Sequence, residues 1–322
     1  MTQPAPKSIT LVIPVFNEAP GLSANIQTIL QALQDQHLTD QYHFSLILVD
    51  DGSQDDTPLV IQSLESQDKR IQGIQFVRNF GKEAAILAGL KAADAADAVL
   101  VMDSDLQHPP SLIGAMLGLW EAGHKVVNAV KQQRGNESFS SRLFAEGFYR
   151  LFYWASGHDI VNHSDFKLLD QEVVQAYCAL PERRRFFRGL VNWLGYPAAQ
   201  IHFAVAPRSG GGQSAWTRLR LLRYAVTALT DFSVAPLYLI IWLGGAVILL
   251  GVLLAAITLL QKFSGMAADG FTTLIIFLFI TSGAIMLSLG LIGHYLGALF
   301  LELKQRPTYL IKRQATDDDD TT

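Results

Sequence analysis

Short apolar runs alternate with stretches of helical spacing over residues 1–130. Ile9–Val15, Phe44–Val49, Ile71–Val77 and Ala98–Met102 are strand-like runs, and a fifth lies near Lys125–Val130. Between them, helical patterns cover Ala19–Gln36, Lys82–Ala93 and about Pro110–Ala122. A further helix begins near Asp55 or Asp56, with Pro58 in its first turn. Repeated βα units predict a parallel sheet covered by helices on both faces. The pattern then changes. No charged residue occurs from Ser233 to Gln261, or from Gly270 to Leu301. Each run exceeds the ~20 residues needed to cross a bilayer core, which predicts two transmembrane helices at about 234–260 and 271–301.

Half of the 322 residues are hydrophobic and only 17% are charged, and the two charge-free runs account for that imbalance. Arg218, Arg220 and Arg223 precede the first run, and Lys304, Arg306, Lys312 and Arg313 follow the second. The intervening loop offers only Lys262, offset by Asp269. Basic residues face the cytoplasm, so the hairpin is expected in the plasma (inner) membrane with both termini and the N-terminal domain cytoplasmic. The expected division is an α/β domain over 1–213, a juxtamembrane amphipathic helix over 214–232, the hairpin over 233–302 and a cytoplasmic tail over 303–322. Within the first domain, a helical stripe near 138–156 (Phe139, Leu143, Phe144, Phe148, Leu151, Phe152) reads equally as an interfacial helix or as core. Gly290 and the Gly293-x-x-x-Gly297 spacing either pack the hairpin on itself or join copies in a homo-oligomer. A single cysteine, Cys178, excludes an intramolecular disulfide. The net charge of −4 argues against nucleic acid as a partner, and Asp317–Asp320 reads as a solubilising tail.

In sheets of this kind ligands bind outside the carboxyl ends of the strands. Those ends carry Pro14-Val15-Phe16-Asn17-Glu18, Asp50-Asp51-Gly52-Ser53, Arg78-Asn79-Phe80-Gly81-Lys82 and Asp103-Ser104-Asp105. An isolated Asp-x-Asp is ordinary loop chemistry, and Asp-Gly-Ser is ordinary turn chemistry. Four consecutive polar strand ends instead describe a nucleotide-type site. No GxGxxG or GxxxxGK[ST] loop follows the first strand, so phosphates there need a metal and arginines rather than a glycine cradle. Carboxylates beside phosphate suit Mg²⁺ or Mn²⁺. With one cysteine and scattered histidines, zinc does not fit.

The four strand ends, extended by Leu106-Gln107-His108-Pro109, resemble the inverting GT-A glycosyltransferases of family 2. Ser164-Asp165-Phe166-Lys167-Leu168-Leu169-Asp170, Arg183-Arg184-Arg185-Phe186-Phe187-Arg188-Gly189-Leu190 and Arg208-Ser209-Gly210-Gly211-Gly212-Gln213-Ser214 narrow the resemblance. They are similar to the polyprenyl-phosphate glycosyltransferases, which include bactoprenol glucosyltransferases and dolichol-phosphate mannose synthases. The Gln-x-x-Arg-Trp motif of processive synthases is absent where Arg183–Arg188 stands, so one sugar per turnover is expected.

The resemblance implies an α/β fold: a GT-A, Rossmann-like nucleotide-sugar domain followed by the two-helix transmembrane hairpin. It implies transfer of one hexose, glucose from UDP-glucose, to a polyprenyl phosphate. GDP-mannose and UDP-4-amino-4-deoxyarabinose remain open as donors, and a non-catalytic scaffold that keeps the nucleotide fold is the alternative of a different class. By resemblance, Pro14, Asn17 and Glu18 edge the nucleotide, Asp50 meets its base or ribose, and Asp103 with Ser104 meets the ribose–diphosphate. Asp105 ligates the metal, and Arg78 either neutralises phosphate or holds its loop. Arg184, Arg185, Arg188, Arg208 and Ser214 take the acceptor phosphate. Asp165 lies opposite the donor sugar, as base or as partner of its hydroxyls and oxocarbenium character, and joins Asp105 and Arg208 as the catalytic set. An acceptor that is already anionic needs aiming more than deprotonation, a task suited to the planar arginine fork.

Overall fold

The computed structural model describes residues 6–131, 163–183, 185–203, 235–263 and 270–312. The stripe near 138–156, the juxtamembrane helix at 214–232, Arg184, Arg208, Ser214 and Asp317–Asp320 lie outside the described residues. The chain separates into two units, an α/β unit that includes the residues from Arg306 onward and a helical unit within 216–305.

In the α/β unit the elements run β1 Lys7–Val15, α1 Ala19–Asp35, β2 Tyr42–Asp50, α2 Thr57–Gln67, β3 Ile71–Gln75, α3 Lys82–Ala92 and β4 Ala98–Val101. They continue with α4 Ile113–Glu121, β5 Val126–Lys131, β6 His163–Asp170, α5 Gln171–Ala179, α6 Phe187–Trp193 and β7 Ala198–Phe203. The seven strands form one sheet in the order β3-β2-β1-β4-β6-β5-β7. Residues 9–13, 46–49 and 98–101 are buried on both faces, which is why these strands read as unbroken apolar runs. Helix α1 covers one face with Leu22, Ile26, Ile29 and Leu33, spaced three and four apart.

The parallel expectation holds in direction for β1, β2, β3, β4 and β5, and only β6, inserted between β4 and β5, runs against it. Strand β6 is antiparallel to both β4 and β5, and β7 pairs with β5 in parallel, so the sheet is mixed. The apolar pattern missed β6 because it buries Ser164, Asp165 and Lys167 in mid-strand. Partners across the sheet satisfy two of them: Ser164 Oγ donates to the Ala129 carbonyl at 2.6 Å, and Lys167 Nζ donates to Asn128 Oδ1. A buried polar group paired in this way costs little, whereas an unpaired one would cost about 2–7 kcal/mol.

The segment beyond the second long helix is not merely a tail. Phe76 forms an antiparallel bridge with Ile311 on the outer side of β3. Val77 N–H donates to the Leu310 carbonyl at 3.0 Å, and Lys312 N–H donates to the Gln75 carbonyl at 2.7 Å. Tyr309 stacks on Phe76 at 5.0 Å with ring planes 10° apart. Backbone groups at the C-terminal end of this edge strand are thereby paired.

The helical unit consists of α7 Ala235–Phe263 and α8 Phe271–Leu303, 29 and 33 residues long. A Cβ built at Gly251 of α7 would lie 3.4 Å from the Phe277 ring of α8. Among the described residues, a Cβ at Gly290, Gly293 or Gly297 would meet nothing within 4 Å. No helix among the described residues supplies a stretch long and apolar enough to cross a membrane. That sits against the complete helix sequences, in which α7 has one charge, Lys262, and α8 has one, Glu302.

Candidate active site

The carboxyl ends of β1, β2 and β4 converge on an open cleft of about 220 Å³, whose lining includes Pro14, Glu18, Asp51, Lys82, Asp103, Ser104 and Asp105. A larger depression of about 390 Å³ lies against Cys178, Arg183, Arg185 and Tyr309 and has no paired carboxylates, so the chemistry falls to the smaller cleft.

The Asp103–Asp105 turn is held from several directions. Ser104 Oγ donates to Glu18 Oε2, and Asn25 Nδ2 donates to the Ser104 carbonyl at 2.8 Å. The Asp103 N–H donates to His108 Nδ1 at 3.1 Å, while the His108 ring stacks on Phe166 of β6. Asp105 Oδ1 accepts the Gln107 N–H at 3.0 Å. Between them Leu106 adopts φ +56°, a left-handed conformation that L side chains reach only when their surroundings impose it.

The second wall depends on glycine. Gly52 has φ +69°, and a Cβ there would lie 2.2 Å from the Arg78 carbonyl carbon, so only glycine lets the 78–82 loop pass. Asp51 fastens that loop, accepting Phe80 N–H at 2.7 Å and Gly81 N–H at 2.9 Å. Lys82 follows as the first residue of α3, and its Nζ lies 2.5 Å from Asp103 Oδ1 and 2.8 Å from Asp165 Oδ2. Arg188 closes on Asp165 from α6 with a fork, Nε to Oδ1 at 2.6 Å and Nη2 to Oδ2 at 2.9 Å. Glu83 joins the two helices by accepting the Phe187 N–H at 2.8 Å.

This arrangement sets the charges. Burial alone would raise the Asp165 pKa, but Arg188 and Lys82 outweigh it and hold the carboxyl far below the usual range. Burial likewise disfavours the Lys82 ammonium, and Asp103 and Asp165 reverse that, so it stays protonated. Glu83 is pushed up to about 7 by burial and by the Asp165 charge, and burial brings Lys167 down to about 7.

The residues expected from the sequence thus divide. Pro14, Glu18, Asp103, Ser104 and Asp105 share the cleft wall, and Asp165 with Arg188 joins them through Lys82. Asp50 is buried and caps its own turn, with Oδ1 accepting Ser53 N–H at 3.0 Å and Oδ2 buried without a hydrogen bond. Asn17 Oδ1 accepts Gln54 N–H at 2.9 Å. Arg78 lies over the Phe80 ring at 4.2 Å and donates to the Asn79 carbonyl, which makes it a loop holder here. Arg185 donates to the Tyr177 and Leu180 carbonyls and lines the larger depression, away from Asp165. Sequence reasoning passed over Asp51, Lys82, Glu83 and His108 as site residues. Lys82 closes the third strand-end motif, and its position there was the available signal.

Among the described residues no three His, Cys, Asp or Glu side chains converge as a metal cage. Mg²⁺ and Mn²⁺ do not require one, because they bind through one or two carboxylates plus substrate phosphates. Asp103 and Asp105 on one cleft wall fit that donor set.

Comparison with known proteins places this geometry. The pattern of glycosyl transferase family 2 matches residues 10–178. A prophage bactoprenol glucosyl transferase homolog of Escherichia coli is 32% identical over 307 residues, 95% of this chain and 98% of that protein. The bactoprenol glucosyl transferase of Shigella phage SfII is 33% identical over 307 residues, 95% of this chain and 97% of that one. A solved glucosyl-3-phosphoglycerate synthase of Mycobacterium tuberculosis aligns at TM-score 0.46, with 19% identity, over 70% of this chain and 78% of that chain. The β-strand-end cleft therefore belongs to a sugar-transfer fold, and the chain is a member of glycosyl transferase family 2.

Proposed function

We propose that the protein is an inverting transferase that moves one hexose, glucose from UDP-glucose, onto the phosphate of a polyprenyl phosphate at the cytoplasmic face of the plasma membrane. The observation that carries this reading is the Asp165 carboxylate, whose two oxygens take three N–H donors from Lys82 and Arg188. A carboxylate so occupied is a poor proton acceptor. The site therefore suits a nucleophile that arrives ionised, as a phosphate does, rather than an alcohol that needs a base. Relatives matching nearly the whole chain carry the name bactoprenol glucosyl transferase, which supports both the lipid phosphate and the glucose.

Each residue then has a task. The cleft wall of Pro14, Glu18, Asp103 and Ser104 borders the nucleotide, and Asp105 would hold a divalent cation on its diphosphate. Such a cation would stabilise the leaving nucleoside diphosphate as charge builds on it. Arg188 stands beside Asp165 to orient the acceptor phosphate toward the anomeric carbon, with Arg184, Arg208 and Ser214 proposed as its companions. Positioning of this kind supplies much of the barrier reduction when no proton has to move.

Helices α7 and α8 span about 43 and 50 Å at 1.5 Å per residue, against a hydrocarbon core of about 30 Å. With one charge each near an end, they support a membrane hairpin. The Gly290, Gly293 and Gly297 spacing in α8 supports association of copies through that helix.

Membranes containing the protein, given a panel of labelled nucleotide sugars, should pass label from UDP-glucose to extractable lipid only with Mg²⁺ or Mn²⁺ present. Asp105→Ala should abolish transfer while the protein still folds and inserts. Labelling from GDP-mannose alone would overturn the donor, and undiminished turnover in Asp105→Ala would overturn the cation site.

A further inference from the structure

The larger depression, beside Cys178, is basic. Lys91 reaches it from the last turn of α3, Arg183 and Arg185 from the loop after α5, and residues 307–309 form the remaining wall. Against these three cations the lining sets one acid, Glu182. The walls are tied together. Arg183 Nη1 donates to the Arg306 carbonyl, and Tyr309 is held by its stack on Phe76. Arg185 closes the end of α5, donating to the Tyr177 and Leu180 carbonyls at 2.8 and 2.5 Å. Those partners are neutral, and Arg185 Nε is buried without a hydrogen bond. Glu182 Oε2 is buried without one as well. A donor and an acceptor, each lacking a partner, thus belong to side chains that line the same depression, and such groups are costly to leave unpaired. Lys91 and Arg185 also converge on the Cys178 thiol: burial raises its pKa, and both cations act to lower it.

We propose that this depression is a phosphate site separate from the strand-end cleft, and that its ligand is a phosphate ester carrying a hydroxyl. Phosphoglycerol has that chemistry, whether as the headgroup of an anionic lipid or as soluble glycerol phosphate. Lys91, Arg183 and Arg185 balance the phosphate, whose oxygens suit guanidinium donors, and the hydroxyl donates to Glu182. Arg185 and Arg188 stand in one motif yet serve different places, Arg188 the Asp165 carboxylate and Arg185 this depression. Chain order favours the lipid source. Residues 307–309 follow closely on Leu303, the last residue of α8, with Lys304, Arg306 and Lys312 beside them in sequence. Basic residues at the cytoplasmic end of a membrane helix attract anionic headgroups. The lipid source rests on the membrane hairpin proposed above, whereas the phosphate site does not.

Cys178, the only cysteine of the chain, lies in the lining and reports on the site. Its alkylation by uncharged iodoacetamide is followed against pH on the full-length protein in detergent micelles. The micelles are doped with phosphatidylglycerol, doped with phosphatidylcholine, or supplemented with glycerol phosphate. A bound ligand covers the thiol and lowers the plateau rate reached above its pKa, whereas surface charge alone only moves the midpoint. Phosphatidylglycerol should lower that plateau several-fold, and phosphatidylcholine should not. Matching protection by glycerol phosphate would identify the soluble source, and protection by the lipid alone would identify the headgroup. Lys91→Glu should abolish the effect, with Lys91→Gln in its place if the reversal does not fold. Arg183→Gln should weaken ligand affinity roughly fivefold, about what one basic residue contributes at a lipid surface. An unchanged plateau in every arm, equal protection by phosphatidylcholine, full protection in the Lys91 variant, or a thiol that never reacts would each overturn the site. Sugar transfer enters none of these readings, so failure of the proposed donor or acceptor would leave them intact.

Discussion

Replacing Tyr309 with alanine isolates the docking of the 309–312 segment, because Tyr309 is the ring that stacks on buried Phe76 while the backbone pairing lies on its neighbours. A half-buried tyrosine removes about 80 Å² from water, or about 2 kcal/mol at ~25 cal/mol per Å². The stacked geometry adds about 1 kcal/mol, and regained side-chain freedom offsets about as much. The 309–312 segment should therefore undock more easily by about 2 kcal/mol, roughly a thirtyfold rise in the open population at 1.4 kcal/mol per tenfold. Adjacent amides provide the assay and its control. Val77 N–H donates outward to the Leu310 carbonyl, whereas Phe76 N–H donates inward to the Asp50 carbonyl at 2.9 Å. Hydrogen exchange at Val77 should accelerate about thirtyfold, and exchange at Phe76 should change far less. Equal rates at Val77 in variant and wild type would refute the docking argument. Equal acceleration at both amides would show that the whole edge of the sheet depends on Tyr309 rather than its outer side alone.

Two further perturbations address the cleft. Gly52→Ala forces a Cβ onto the Arg78 backbone at φ +69°, so it should destabilise the protein by more than 1 kcal/mol and displace the 78–82 loop. Unfolding in urea and UDP binding should both register the change, and a wild-type midpoint would contradict the close approach. Glu83→Gln tests the buried acid. Its folded pKa of about 7 lies above the unfolded value of 4.5, so the folded state binds more protons between those pH values and wild-type stability falls as pH rises through them. The glutamine variant should lose that slope, worth at most about 3 kcal/mol at ~1.4 kcal/mol per pH unit. Lys167, brought down to about 7, acts in the opposite sense and above pH 7, where stability rises with pH, so the two windows separate. Identical pH profiles for variant and wild type between 4.5 and 7 would show that Glu83 titrates normally.

Much of the site was legible because strand ends are local features. An apolar run followed by Asp103-Ser104-Asp105, or by Asp50-Asp51-Gly52-Ser53, announces where a strand stops and what chemistry stands there. The β1–β4 core and the charge-free pair of helices follow from the same local periodicity, since buried parallel strands and long apolar helices leave no polar face to confuse the pattern. Arg78 and Arg185 show the limit. Both are arginines in motifs that suit phosphate, yet one covers Phe80 and the other fastens two carbonyls near Tyr177.

What the sequence determined by itself was the fold class, the order of strand ends and the carboxylate pair, because each depends on spacing within a few residues. Tertiary structure alone decided that β6 enters the sheet antiparallel, carrying Asp165 to Lys82 across 83 residues of chain, and that Arg188 meets it from another helix. It also decided that residues 309–312 dock at the C-terminal end of β3. A buried aspartate in mid-strand is unfavourable when read alone. It becomes stable only when cations from distant segments surround it, and no local pattern carries that information.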